Sequence, residues 1–153
     1  MAMEDAWAFF ASPSKLVEMT PADVGFELLG DHSGPIYEAR ILRYRIKLAQ
    51  GVKIHWTTEI KAVVRGHSFV DEQRAGPFAF WHHRHTFEPI DGGVKMTDAI
   101  HYAVPFGVAG ELIHPLLVRP KLERIFKFRR VTLENRFGSM DGSLHSKPLG
   151  SFP

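Results

Sequence analysis

The chain has 153 residues, 44% of them hydrophobic, with a formal net charge of +2 and no cysteine. That length suits one domain with a sizeable core, and the apolar content excludes disorder over most of the chain. The missing cysteines exclude disulfides, thiolate metal sites and thiol nucleophiles, while the small charge and the lack of a recognised motif give no reason to expect a nucleic-acid partner. The segment MAMEDAWAFFASPSK is acidic where a secretory signal is basic, and no window has the apolar length of a membrane-spanning helix. A cytoplasmic location is expected.

In chain order, Ala6, Phe9 and Phe10 recur at helical spacing over residues 3–10. Ser12-Pro13 opens a second short helix through Leu16 and Val17, which Thr20-Pro21 ends. Strand patterning follows over 24–29, then a turn at 30–35. Residues 36–48 alternate with Leu42, Tyr44, Ile46 and Leu48 inward, Gln50-Gly51 turns the chain, and 52–62 return with Val52, Ile54, Trp56, Thr58 and Ile60 inward. A short strand over 68–73 and the bend Arg74-Ala75-Gly76-Pro77 lead to a hairpin around Asp91-Gly92-Gly93. Residues 110–137 read as helix, with Leu112, Leu116, Leu122, Ile125 and Phe126 among its apolar positions. Pro115 and Pro120 predict a kink or break near Arg119, and Gly138 caps the end. Residues 139–153 read as a flexible tail after a single domain over 1–138.

The hairpin carries the chemistry. Its first strand places Ala79, Trp81, His83, His85 and Phe87 on one face, and its second places Val94, Met96, Asp98, Ile100, Tyr102 and Val104 on one face. Pairing Phe87 with Val94 sets His83 opposite Asp98; pairing it with Met96 sets His85 there. Both registers make an inward His and Asp neighbours, and burying such groups requires a partner network or a polar, ligand-accessible space. His82 and His101 point outward, toward solvent or each other.

Six antiparallel strands with two short helices before and one long helix after make an α+β layer pair, the long helix covering the concave sheet face. With AWAFFASPSKLVEMTP (6–21), HWTTEI (55–60), FVDEQRAGPFAFWHHRHTF (69–87), MTDAIHYAVPFG (96–107) and IFKFRR (125–130), this order resembles the START-like, or helix-grip (SRPBCC), superfamily, in particular its bacterial ligand-binding, polyketide cyclase/dehydrase-like branch. The resemblance implies a curved sheet of about six strands gripping a long kinked carboxyl-terminal helix, with a cavity between them. It also implies a strand before the first helix, for which this sequence has no evident counterpart; an open sheet edge of that kind favours homodimerisation.

The resemblance implies binding or transport of a small hydrophobic or amphipathic molecule, lipid-like or polyketide-like. Arg40, Trp56, Phe69, Asp71, Gln73, Trp81, Phe87, Met96, Tyr102 and Phe126 are the candidate ligand-binding residues; plain core is the commoner role for most of the apolar members, and Asp71 and Gln73 equally suit a turn. A second reading is a cyclase or dehydrase in which His83 or His85, held by Asp98, is the general base and Tyr102 or Arg40 stabilises an oxyanion. A third is an interaction module without ligand. His83, His85 and Asp98 also have the ligand types of a two-His, one-carboxylate metal site, although such residues more often serve in hydrogen bonding, and neither a metal nor a cofactor is expected. The basic series Arg119, Lys121, Arg124, Lys127, Arg129, Arg130 and Arg136 reads as a solvated helix face, with transient anionic-membrane contact as the alternative.

Overall fold

The structure is a computed structural model that describes residues 1–49, 51–138 and 150–151; of 48, 49, 111, 113, 115, 117, 150 and 151 it describes the backbone alone. Its α+β architecture is an antiparallel meander of six strands, β1 (Glu27–Leu29), β2 (Ile41–Ala49), β3 (Val52–Val64), β4 (Ser68–Ala75), β5 (Phe80–Ile90) and β6 (Gly93–Ala103). Helices α1 (Met3–Phe10) and α2 (Pro13–Glu18) precede it, and α3 (Gly107–Ile113) and α4 (Arg119–Phe137) follow it. A two-residue strand, β7 (Gly150–Ser151), pairs in parallel with β6 at His101 and Tyr102. The flexible-tail expectation for 139–153 otherwise lies outside the described residues.

The expected strand at 24–29 shortens to β1, because residues 22–24 form a 3-10 turn that Gly25 closes at φ +57°. The expected strand over 36–48 begins only at Ile41. Residues 36–40 form a bend with Ala39 at φ 64°, in which Arg40 N–H donates to the Tyr37 carbonyl at 3.1 Å. The expected helical break falls at Arg119: a π-helical stretch, His114–Val118, joins α3 to α4, and Pro120 stands in the first turn of α4, where a missing N–H costs least.

Bulges bend the sheet. Its register shifts between Thr57 and Thr58 and again between Lys61 and Val64, where Ala62 takes φ 49°. The Ala62 and Val63 N–H groups donate to the two oxygens of Glu38, at 3.2 and 2.9 Å, so this bulge leaves no orphaned donor. Strand alternation sends Tyr44, Trp56, Thr58, Ile60, Phe69, Trp81, Phe87, Ile100 and Tyr102 to one buried face. Helix α1 seals part of that face with Trp7, edge-on to Phe69 and Phe87, while α4 brings Leu122 to the same core.

The basic series of α4 is less solvated than its composition implies. Arg124 pairs with Asp23 at 2.6 Å and Arg136 with Glu18 at 2.8 Å, tying α4 to the amino-terminal segment, and Arg129 is buried. The helical repeat explains the exception, since residues 122, 126, 129 and 133 lie along one stripe of α4.

Candidate functional site

Register and alternation build the site. In β5/β6 Phe87 pairs with Met96, which sets His85 opposite Asp98; in β4/β5 Asp71 stands opposite His83 and Phe69 opposite His85. All four ionisable side chains therefore project from neighbouring strands onto the inward face, close enough for direct and diagonal contacts. His83 Nε2 and Asp98 Oδ1 are hydrogen-bonded at 2.8 Å, and His85 Nε2 and Asp71 Oδ2 at 2.9 Å. Two more approaches close the ring: His83 Nδ1 lies 3.1 Å from Asp71 Oδ2, and His85 Nδ1 lies 2.9 Å from Asp98 Oδ1. The last lacks hydrogen-bond alignment, and His85 Nδ1 is a buried atom with no hydrogen-bond partner.

Surrounding groups hold this ring. The Trp81 indole N–H donates to Asp71 Oδ1 at 2.9 Å, Phe69 stacks on the His85 imidazole at 4.2 Å between centroids, and Phe126 of α4 stands edge-on to His83. Arg129, one turn further along α4, places Nη1 3.8 Å from Asp98 Oδ2 and its guanidinium over the Phe126 ring; its Nε is buried without a partner. Burial alone pushes the His83 pKa down, but the Asp71 and Asp98 carboxylates outweigh it and lift the imidazole to about 9. Burial likewise pushes both carboxyls up, yet the neighbouring His83 and His85 hold them well below the usual carboxylate range. Carboxylates held that low are poor proton acceptors.

Exposure distinguishes the members. The His83 and His85 side chains are 3% and 7% exposed, whereas Asp71 and Asp98 retain 18% and 21%. The carboxylates therefore keep more exposed surface than either imidazole, while the Arg129 side chain, at 9%, is about as buried as His85. The sequence pattern makes the imidazole the reacting base with Asp98 behind it; the structure reverses their accessibility.

Other expected site residues divide by what they touch. Arg40 does not reach the ring: its guanidinium donates to the Ser33, Gly34 and Pro35 carbonyls at 2.8, 3.0 and 2.6 Å, so it ties down a loop. Gln73 spans the β4–β5 bend, donating to the Phe78 carbonyl at 2.7 Å and accepting from the Phe78 N–H at 3.2 Å. Phe87 packs against Trp7 and Phe10 as core, Trp56 packs among Tyr44, Phe78 and Trp81, and Met96 is half-buried on the inward face. Tyr102 does not stand free to stabilise an oxyanion, because its hydroxyl is hydrogen-bonded to His114 Nε2 at 2.5 Å. His82 and His101 face each other outside the sheet, with His82 Nδ1 3.0 Å from Glu72 Oε1.

Sequence patterning misses Arg129, which approaches Asp98, and His114, which engages Tyr102. For Arg129 a signal exists, the helical stripe shared with Leu122 and Phe126; His114 has none, because its position depends on the π-helical stretch.

No protein-family model matches the sequence, and no curated protein matches it. Among solved structures, the chain is similar to TTHA0849 from Thermus thermophilus, with a TM-score of 0.61 and 16% identity, covering 88% of this chain and 91% of that one. It is also similar to protein Ms6760 from Mycobacterium smegmatis, with a TM-score of 0.60 and 19% identity over 88% of this chain and 85% of that one. At such identities the likeness extends to the fold.

Proposed function

We propose that this chain is a helix-grip protein of the START-like superfamily that binds one small amphipathic molecule between the concave sheet face and α4. The observation that carries this reading is the contrast in exposure within the ring: the imidazoles are closed off while Asp71 and Asp98 remain reachable beside partly covered apolar side chains. Phe78, Met96 and Phe126 face the same interior and are only half-buried, which is the composition of a ligand site, apolar walls with a few converging polar groups. The unpartnered, buried Nε of Arg129 supplies a donor for an oxygen on the molecule's polar end.

Binding fits these groups better than turnover. The carboxylates are poor bases, the imidazoles are more deeply buried than they are, and Tyr102 is engaged with His114.

The test is saturable uptake of an amphipathic anion, 8-anilinonaphthalene-1-sulfonate, by the natively folded chain, together with native mass spectrometry of the freshly purified protein. One equivalent of probe is expected, weakened at least tenfold in Arg129→Met. Absence of both a co-purifying mass and saturable uptake would remove the reading.

A further inference from the structure

We infer that Asp71, His83 and His85 form a binding site for one divalent first-row transition-metal ion, held through Asp71 Oδ2, His83 Nδ1 and His85 Nε2. This goes beyond the amphiphile-binding reading and does not rest on it. The three residues converge: Asp71 Oδ2 is 3.1 Å from His83 Nδ1 and 2.9 Å from His85 Nε2, and each residue offers a ligand atom within 4.8 Å of the others'. Tetrahedral zinc with bonds of about 2.0–2.1 Å spaces its ligand atoms about 3.3 Å apart, so the two edges that meet at Asp71 Oδ2 need open by only a few tenths of an ångström. The sequence alone suggests Asp98 as the carboxylate ligand. The register instead puts Asp98 on the far side of both rings from Asp71.

That position is the second argument. A metal-bound imidazole is usually oriented by a carboxylate at its other nitrogen, and here one oxygen, Asp98 Oδ1, faces His83 Nε2 at 2.8 Å and His85 Nδ1 at 2.9 Å. Trp81 holds the remaining oxygen of Asp71, so the proposed ligand carboxylate is fixed as well.

The third argument is polar bookkeeping. Without an ion, two ring nitrogens crowd one carboxylate oxygen and the buried His85 Nδ1 has no hydrogen-bond partner. With an ion, both crowded nitrogens become lone-pair donors and both far nitrogens carry N–H groups, His83 Nε2 hydrogen-bonded to Asp98 Oδ1 and His85 Nδ1 2.9 Å from it. A dication, two carboxylates and two neutral imidazoles sum to zero charge, and the buried Arg129, 3.8 Å from Asp98, adds one positive charge at the edge of the site. Three protein ligands leave a coordination position open, and the two-nitrogen, one-oxygen set suits Zn²⁺, Co²⁺ or Fe²⁺.

The test uses the whole chain, stripped with a chelating resin and titrated with Co²⁺ and then Zn²⁺. One equivalent of Co²⁺ should produce visible d–d absorption that Zn²⁺ abolishes, and Zn²⁺ should raise the thermal midpoint in a concentration-dependent way. His85→Ala and Asp71→Asn should each weaken Zn²⁺ binding at least 100-fold, Asp98→Asn about 10- to 100-fold, and the outer-face variant His82→Ala should leave it unchanged. Failure of the wild-type chain to bind one equivalent overturns the inference without recourse to any variant, as does equal affinity in Asp71→Asn and wild type. Dye uptake by the stripped chain separates the two readings: uptake without metal binding removes only the metal site, and metal binding without uptake removes only the amphiphile site.

Discussion

Replacing Asp71 by Asn tests whether the ring is a coupled electrostatic unit. The substitution keeps the shape and one oxygen for the Trp81 N–H, but it removes the charge and presents an amide where His83 Nδ1 lies 3.1 Å and His85 Nε2 2.9 Å away. Removing one partner from a buried ion pair costs about 3–5 kcal/mol, because the other charge remains uncompensated. Asp71 is 18% exposed and the Trp81 contact survives, so the lower end, about 3 kcal/mol, is expected. For a chain of this size that is roughly a 6–12 °C fall in thermal midpoint. Urea unfolding followed by tryptophan fluorescence, with chelator present, gives the free energy. A double-mutant cycle with His83→Gln then measures the coupling, expected at about 1–3 kcal/mol in magnitude, with the double variant less destabilised than the sum of the singles. A cost below about 1 kcal/mol, or strict additivity, would show that the four groups do not act together.

Two further substitutions separate scaffold from site. Tyr44 and Thr58 share a buried hydroxyl hydrogen bond of 2.6 Å, so Tyr44→Phe alone should cost about 1–2 kcal/mol by leaving Thr58 unpaired. Adding Thr58→Val should recover much of that loss in chemical denaturation, and a double variant as unstable as the summed singles would contradict the pairing. Arg40→Met releases three carbonyls at once and should destabilise the chain by about 2–4 kcal/mol. It should leave dye affinity in the remaining folded protein within about twofold; a roughly tenfold loss in the cold would return Arg40 to the binding site.

Periodicity carries most of the architecture because neighbouring strands and helices disclose themselves locally. The alternation through His83, His85 and Asp98 determines which side chains face inward, and the Asp91-Gly92-Gly93 turn leaves two registers, of which the one opposing His85 to Asp98 is observed. Asp71 is harder to assign. It lies in a short segment where Asp and Gln suit a bend as well as a strand, and only the β4–β5 register separates Gln73, which spans the bend, from Asp71, which enters the ring. Arg40 fails for a related reason: an inward position in an alternating run does not extend through residues 36–40, because Ala39 turns the backbone there and the phase is lost.

Arg129 shows why the missing part concerns chemistry more than fold. On composition it is one of seven basic residues in a charged helix, and its difference is phase alone: its stripe with Leu122 and Phe126 meets the sheet where Asp98 stands. A buried guanidinium needs an anion or several acceptors, and a contact at 3.8 Å with an unpartnered Nε supplies this incompletely. Arg129 therefore distinguishes a filled core from a binding site. If Arg129→Met stabilises the chain while abolishing dye uptake, the arginine is retained for a ligand at a cost to folding. If it destabilises by several kcal/mol with uptake unchanged, Asp98 needs the charge, and the inward face is a structural polar core.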